Sequence, residues 1–276
     1  MERVDYDARQ HAVYAAGRAM PDDMRQTWAE VFAAWAPPER PLTVLDLGSG
    51  TGRFTPTLAG TFGGPVYGVE PSERMREQAA PHPGVEYRAG RAEAIPLPDR
   101  SCDLVLMFLM FHHVVDRPAA VAEIRRVLRP GGRVLLHSTF ADRMPDLLWH
   151  RFIPGARTVE QRMFPTLTEV VRLFGAAGMP VVAIERVREK FAPSLSSYAA
   201  RMRLRPISTF EHLTEDEIVR GLTALDRAAA AETTPRPVTA EVDLLVLGTD
   251  QSDSASTRAD ATGEPAGTSK PPNATR

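Results

Sequence analysis

Short apolar runs alternate with segments of helical spacing along the first half of the chain. Runs rich in Val and Leu occupy residues 42–47, 65–69, 85–88, 103–108 and 133–138. Each run is followed by a segment with helical spacing or with polar turn residues. Strands that alternate with helices indicate βαβ units. The pattern predicts an α/β fold with a mostly parallel sheet and helices on both of its faces.

Apolar stripes and capping or breaking residues predict the positions of the helices. Residues 22–36 carry the apolar stripe of an amphipathic helix and stop at Pro37-Pro38. Ser72 can cap a helix that includes residues 75–80, and residues 119–128 precede Pro130-Gly131-Gly132, which predicts a break. Beyond residue 138 the alternation is irregular. There we predict helices at 168–177, 194–203 and 214–231 and strands at 180–190 and 241–247.

Composition removes several classes of protein. The 276 residues carry 33 Lys and Arg against 35 Asp and Glu, which argues against a nucleic-acid partner. The single cysteine, Cys102, excludes an internal disulfide and a cysteine-based metal site, and we expect no metal. The longest apolar run, residues 104–111, is far shorter than the roughly 20 residues of a membrane span. We therefore expect a cytoplasmic protein without a membrane partner.

A glycine-rich loop follows the first strand. The segment Val44-Leu45-Asp46-Leu47-Gly48-Ser49-Gly50-Thr51-Gly52 leads a buried strand into three glycines at alternate positions. Such glycines allow a sharp turn and a close approach of ligand to backbone. Glu70 ends the second strand, where a carboxylate can accept hydrogen bonds from both hydroxyls of a ribose. The combination predicts a nucleoside-type ligand.

Arg53, the residue after the loop, argues against two nucleotide ligands. The dinucleotide fingerprint requires a glycine where this chain has Arg53, which disfavours NAD. A phosphate-binding P-loop requires Lys followed by Ser or Thr after its last glycine, but Gly52 is followed by Arg53-Phe54, which disfavours ATP.

Four motifs in order resemble one family. VLDLGSGTGRFT is similar to the first motif of class I S-adenosylmethionine-dependent methyltransferases, and GVEPSERMREQA to the second. GRAEAIPLPDRSCDLVLMFLMFHHV resembles the third and fourth motifs, and RPAAVAEIRRVLRPGGRVLL the segment through the fifth strand. The chain most resembles the small-molecule and quinone branch, of methyltransferase type 11. The resemblance implies a Rossmann-like three-layer sandwich with a seven-stranded sheet whose last strand is antiparallel.

The resemblance also implies the cofactor, S-adenosylmethionine, and the residues that hold it. Asp46 and the loop glycines would hold its methionine part, Glu70 its ribose, and Pro71 or Ser72 would lie near the adenine. Arg91 departs from the family, because many relatives have an aspartate there that accepts from the adenine amino group. The full implied set is Tyr14, Arg18, Asp46, Gly48, Ser49, Gly50, Gly52, Glu70, Pro71, Ala92, Glu93, Met107 and Phe108.

Other candidate site residues could instead have an ordinary structural role. His112 and His113 follow the fourth strand, where open α/β sheets bind ligands, and either could be a general base; His112 is favoured. Alternatively, one of them packs and the other is solvated. Tyr14 and Arg18 would close over the cofactor in similar relatives, or would belong to an ordinary surface helix. The cluster Arg201, Arg203 and Arg205 either recognises an anionic group or forms a solvated face.

These observations predict a methyltransferase that acts on a small molecule, a natural-product or quinone-like acceptor, by in-line transfer. An RNA or protein methyltransferase and a non-catalytic S-adenosylmethionine-binding protein remain alternatives, and the chain would be a monomer or homodimer. We expect an N-terminal helical cap at 1–40, a methyltransferase domain at 41–248 and a disordered tail at 249–276. The acceptor region would be inserted helices at about 140–240, with the pocket built from the cap and the segments 140–161 and 194–209.

Overall fold

One mixed sheet organises the chain. The computed structural model describes residues 20–249. Within them the strands are β1 (Leu42–Leu47), β2 (Gly63–Glu70), β3 (Val85–Ala89), β4 (Cys102–Phe108), β5 (Leu128–His137), β6 (Val181–Ala192) and β7 (Val238–Gly248). Their order is β3-β2-β1-β4-β5-β7-β6. The first five are parallel, and β7 runs antiparallel to both of its neighbours.

Helices cover both faces of the sheet. They are α1 (Asp22–Trp35), α2 (Thr55–Phe62), α3 (Glu73–Glu77), α4 (Arg117–Val127), α5 (Trp149–Phe152), α6 (Pro154–Met163), α7 (Leu167–Ala176), α8 (Leu195–Arg203) and α9 (Glu215–Ala230). Trp28 and Phe32 of α1 and Leu58 of α2 are buried in the cluster on one face. Ile124 of α4 and Phe174 of α7 are buried in the cluster on the other. The predicted fold class, a Rossmann-like sandwich with a seven-stranded sheet and an antiparallel last strand, is confirmed.

A third apolar cluster forms beyond the carboxyl ends of the parallel strands. It joins α5, α6, α8 and α9, with Trp149, Tyr198, Met202, Phe210 and Ile218 among its buried members. Segments from 149 to 230 thus pack on one another as well as on the sheet, and Trp149, Tyr198 and Met202 line a cavity with residues at the ends of β4 and β5.

Two local features differ from the sequence expectation. Pro130-Gly131-Gly132 lies inside β5, where the pairing with β4 jumps from Leu128 to Arg133, so these residues form a bulge in the strand. Two helices, α5 and α6, lie in the region where inserted helices were expected, but their individual positions were not predicted. The predicted tail and the N-terminal pair Tyr14 and Arg18 lie outside the described residues, the tail except for Thr249. No helix within residues 20–249 combines the length and apolar character that a membrane crossing requires.

Candidate active site

The glycine loop after β1 is tied to β2 by its own backbone. The amides of Gly48 and Ser49 both donate to the carbonyl of Val69, at 2.7 and 3.2 Å. Gly48, Gly50 and Gly52 have φ of 72°, 57° and 75°, the left-handed region that side chains disfavour. A Cβ on Gly48 would also meet the side chain of Met110. The loop therefore needs glycine for both its turns and its close contacts.

Glu70 links the loop to the end of β2. One carboxylate oxygen accepts from the amide of Gly50 at 3.1 Å, and the other accepts from the amide of Ser72 at 3.0 Å. The residue is 9% exposed. Each carboxylate oxygen of an ionised glutamate can accept more than one hydrogen bond. The chain itself thus fixes the orientation of this carboxylate.

Asp46 lies beneath the loop. Its carboxylate is buried and accepts from the hydroxyl of Thr55 on α2 at 2.7 Å. Burial raises the pKa of Asp46 to about 6, and the negative charge of Glu70 acts in the same direction, whereas the hydrogen bond from Thr55 and the charge of Arg53 oppose it. Asp46 therefore connects the end of β1 to α2 next to the loop.

One pocket joins the ends of β1, β2 and β4. It is lined by Leu47, Gly48, Gly50, Val69, Glu70, Pro71, Met75, Gly90, Arg91, Ala92, Glu93, Phe108, Leu109, Met110, His113 and Val114. Of the sequence-predicted cofactor residues, the structure brings together Gly48, Gly50, Glu70, Pro71, Ala92, Glu93 and Phe108 here. Asp46, Ser49, Gly52 and Met107 flank this set without lining the pocket, and Met107 is fully buried in the core.

The pocket fits a nucleoside with a charged tail. Apolar side chains from Val69, Met75 and Ala92 suit a purine ring, and Glu70 is placed for ribose hydroxyls. The hydroxyl of Ser49 is buried and has no hydrogen-bond partner among residues 20–249. Glu93 is engaged locally, because its carboxylate accepts from the amides of Val115 and Asp116 at 3.2 and 3.5 Å. The predicted cofactor residues are thus compatible with S-adenosylmethionine.

A second cavity of about 280 Å³ lies next to the first. Leu109 lines both, His112 faces the second cavity, and His113 faces the first. The two imidazoles are 3.9 Å apart between ring centroids, and His112 also lies 4.3 Å from the ring of Phe164. The adjacent histidines therefore divide between two compartments, a separation that their spacing in the sequence does not reveal.

The walls of the second cavity come from distant parts of the chain. Trp149 and Phe164 line it, whereas Phe152 and Phe210 pack within the third cluster. Arg201 lines it too and donates to the carbonyl of Phe191 at 2.7 Å. The other two arginines of the predicted cluster form surface ion pairs, Arg203 with Asp226 and Arg205 with Glu215.

Sequence reasoning missed the buried polar residues of this cavity. Glu160, 3% exposed, accepts from Thr209 at 3.1 Å and lies 2.8 Å from Nε2 of His150. Asp243 receives a hydrogen bond from Nε of Arg143 at 2.5 Å. Both carboxylates line the cavity. In the sequence, the signal for a site residue is a position at the carboxyl end of a predicted parallel strand. Glu160 and Asp243 do not lie at such positions, so the sequence did not indicate them.

His137 is the residue that such a signal could have found. It ends β5, is 3% exposed and lines the second cavity together with Glu189 of β6. Within the described ranges, no group of three His, Cys, Asp or Glu side chains is arranged to hold a metal ion.

Comparison with known proteins agrees with this architecture. Residues 45–136 match the family model described as a methyltransferase domain. The ubiquinone/menaquinone biosynthesis C-methyltransferase UbiE of Acidiphilium cryptum is 30% identical over 167 residues, which cover 55% of this chain and 67% of that protein. The O-methyltransferase cnsE of Penicillium expansum is 30% identical over 169 residues, 57% of this chain and 59% of the relative. By contrast, the chain spans only 29% of a 37.1 kDa Streptomyces fradiae transposon protein to which it is 41% identical over 100 residues, 34% of this chain.

Solved structures share the fold. A methyltransferase from an antibiotic biosynthesis pathway of Anabaena variabilis superposes with a TM-score of 0.67 at 23% identity, over 81% of this chain and 97% of the other. A Haemonchus contortus N-methyltransferase, solved with phosphomonomethylethanolamine and S-adenosylhomocysteine, gives a TM-score of 0.59 at 17% identity, over 87% and 57%.

The fold and the glycine loop with its distal acid define a Rossmann-like protein that binds a nucleoside cofactor at the carboxyl ends of its strands. The chain belongs to the class I S-adenosylmethionine-dependent methyltransferases. Its cofactor is S-adenosylmethionine.

Proposed function

We propose that this protein transfers the methyl group of S-adenosylmethionine to a small natural-product or quinone-like molecule held in the second cavity. The observation that carries the proposal is the contact of two compartments at Leu109, one with a nucleoside-binding lining and one large enough for a small organic molecule. The names of the relatives UbiE and cnsE support a small acceptor.

The residues that hold the cofactor follow from the first pocket. Gly48, Gly50 and Glu70 bind its polar groups, and Pro71 and Ala92 contact its adenine. Asp46 supports the loop from below through Thr55. Tyr14 and Arg18 remain expected to close over this pocket. The cofactor supplies a methyl group on a sulfonium, which is a good leaving group, so the protein mainly positions the acceptor and excludes water.

His112 is the member of the histidine pair that we assign to the acceptor. Its ring faces the second cavity and packs against Phe164, which places it to orient the molecule held there. His113 faces the cofactor pocket and is assigned to its wall. Replacing His112 with Gln should therefore raise KM for the acceptor and leave cofactor affinity unchanged.

Calorimetry with S-adenosylmethionine tests the first half of the proposal. Glu70→Gln removes a charged hydrogen-bond acceptor, so affinity should fall by roughly tenfold to a hundredfold. Gly50→Val should abolish binding, because Gly50 has a left-handed φ and lines the pocket. The matched control is Gly60→Ala on α2, where an added Cβ meets nothing within 4 Å. Unchanged affinity in both pocket variants would overturn the cofactor assignment.

Isotope transfer tests the second half. The protein is incubated with cofactor labelled in its methyl group and, separately, with a small-molecule extract, a tRNA pool and a protein extract. We expect label in one small molecule. Label in tRNA or in protein would replace the proposed acceptor class, and cofactor binding without transfer to any of the three would favour a non-catalytic binding protein.

A further inference from the structure

Glu160 of α6 brings a carboxylate to the wall of the second cavity. The residue is 3% exposed and lines the cavity. Its backbone carbonyl accepts from the amide of Phe164, four residues further along, so the two side chains lie on one face of the helix. Phe164 in turn lies 4.3 Å from the ring of His112. Glu160 is therefore about one helical turn away from the histidine that we assign to the acceptor.

The chain surrounds the Glu160 carboxylate with hydrogen-bond donors. Oε1 accepts from the hydroxyl of Thr209 at 3.1 Å, and Oε2 lies 2.8 Å from Nε2 of His150. The ion-pair partner of Glu160 within residues 20–249 is His150 rather than a lysine or an arginine. Two donors stabilise the ionised form of a carboxyl group. Whether the negative charge is balanced by the chain thus depends on the state of His150.

The surroundings of His150 favour its neutral form. An ionised carboxylate can only accept, so Nε2 is the nitrogen that carries the proton. Nδ1 is buried and has no hydrogen-bond partner in the described part of the chain. An imidazolium would have a second N–H at Nδ1, and a buried charged donor without a partner costs more than a lone pair there. His150 therefore donates a hydrogen bond to Glu160 without balancing its charge.

Two aromatic side chains line the cavity with Glu160. Trp149 and Tyr198 are both buried. Burial raises the pKa of Tyr198 to about 12, and the charge of Glu160 acts in the same direction, whereas the charge of Arg201 and a hydrogen bond with the backbone of Trp149 oppose it. Tyr198 is thus a neutral ring within electrostatic reach of Glu160. Aromatic rings together with a carboxylate favour a cation over a neutral or anionic group.

The charges of the whole cavity act in the same direction. Within residues 20–249, five carboxylates and three arginines line it. The nearly fully buried carboxylates are those of Glu160, Glu189 and Asp243. Arg143 and Arg186, which pair with Asp243, have side chains that are 40% and 60% exposed. Because water and salt screen exposed charges more strongly than buried ones, the interior of the cavity is a better environment for a cation than for an anion.

We propose that the methyl acceptor carries a positively charged amino group and that Glu160 binds this group beside Trp149 and Tyr198. The proposal rests on the proposed function and narrows its small organic molecules to those that bear an amine. The ammonium group supplies the positive charge that a buried carboxylate requires. Each oxygen of Glu160 accepts one hydrogen bond from the described residues and can accept another from the ligand.

Three probes of similar size and different charge test the amine class. Benzylamine, benzyl alcohol and benzoate are each titrated into the full chain at about pH 7.5 with S-adenosylhomocysteine present. Benzylamine should bind about tenfold or more tightly than benzyl alcohol, and benzoate should bind most weakly. Failure of benzylamine to bind, or tighter binding of either of the other two probes, would overturn the proposal.

Glu160→Gln tests the residue itself. Glutamine has nearly the same size and keeps an oxygen that can accept from Thr209, but it removes the charge. Affinity for benzylamine should fall by about tenfold or more, and affinity for benzyl alcohol should stay within about twofold. Equal losses for both probes would show that Glu160 only shapes the cavity. Glu86→Gln removes an exposed carboxylate on β3 and is the matched control, for which neither affinity should change.

Nitrogen-15 NMR of the full chain labelled in histidine tests the charge argument without a ligand and without a substitution. At about pH 7.5 His150 should be neutral and protonated at Nε2. An imidazolium at this pH would mean that the chain already balances the charge of Glu160, and the proposal would fail.

The isotope experiment separates this proposal from the proposed function. The labelled small molecule should be retained by a cation-exchange resin, because its amino group is positively charged. A labelled small molecule that passes through the resin would overturn the amine class and leave the proposed function intact. Calorimetry of cofactor binding judges the proposed function, and its result does not alter the ranking of the three probes.

Discussion

Replacing Asp46 with Asn should make the protein more stable, and increasingly so as the pH rises. Burial raises the pKa of this carboxyl from an ordinary value near 3.8 to about 6 in the folded chain. Between these two values the folded state binds more protons than the unfolded state, so the contribution of Asp46 to stability falls as the pH increases. A difference of about two in pKa corresponds to roughly 3 kcal/mol, and the full cost applies above pH 7.

The same linkage gives the size of the effect at lower pH. At pH 5 the destabilisation by Asp46 is about half of its value at pH 8. Asn removes the ionisation, and its side-chain oxygen can still accept from Thr55. Any cost of the unmatched amide group does not depend on pH. The free energy of unfolding of Asp46→Asn relative to that of the parent should therefore increase by roughly 1–2 kcal/mol between pH 5 and pH 8.

Urea unfolding at fixed ionic strength measures this difference, with equal m-values as the check that both states are comparable. Glu86→Gln is a control, because the hydrogen bond from Arg88 lowers the pKa of the exposed Glu86 below its ordinary value of 4.5. The ionised form of Glu86 stabilises the fold, and that contribution is lost only as the pH falls below this value, so the difference between Glu86→Gln and the parent should change little from pH 5 to pH 8. A difference between Asp46→Asn and the parent that is constant from pH 5 to pH 8 would show that Asp46 is not a buried acid with a raised pKa.

Two further substitutions test the support of the site, and one thiol reaction tests the packing of the core. Gly52→Ala should lower the free energy of unfolding by about 1–2 kcal/mol because of the left-handed φ of 75° alone. Contact of the new Cβ with the hydroxyl of Tyr87 should lower it further, so Tyr87→Phe in the same chain should restore part of the loss in thermal unfolding. Arg126 does not line the pocket, but it donates to the carbonyls of Leu97 and Ile95. Arg126→Met removes these donors, so calorimetry should show weaker cofactor binding. Arg126→Lys should weaken cofactor binding less. Burial raises the pKa of the Cys102 thiol to about 11, so Ellman's reagent at pH 8 should react slowly with the folded chain and rapidly in urea; fast reaction of the folded chain would contradict its burial.

The parallel half of the sheet was predictable because its signals are local. β1 has the predicted bounds, since its apolar run is closed by Pro41 before it and Gly48 after it. β6 and β7 are longer than predicted because their antiparallel ladder continues into residues of mixed polarity. Pro130-Gly131-Gly132 predicted a break, but the bulge lets β5 begin at Leu128 in spite of them. Local sequence does not show when a neighbouring strand will tolerate such a bulge.

The candidate site also has one part that local sequence predicts and one part that it does not. Residues of the glycine loop and the distal Glu70 lie within a few positions of a recognisable turn, so spacing alone predicts that they meet. The second cavity is built from several separate segments that extend from Leu109, after β4, to Asp243 in β7. Glu189 and Asp243 look like ordinary surface residues of amphipathic strands until the antiparallel pairing of β6 with β7 places them in one cavity.

Leu109 shows why the two compartments meet where they do. With φ of 54° it adopts the left-handed region that a bulky side chain rarely enters, directly after β4. Its amide donates to the carbonyl of His137, which ties the turn to the end of β5. A residue in a regular strand conformation would continue β4, whereas this turn directs the chain into the segment that carries His112 and His113. The local strain at Leu109 and the buried acid Asp46 both lower stability, and both lie at the edge of the sheet where the two cavities meet.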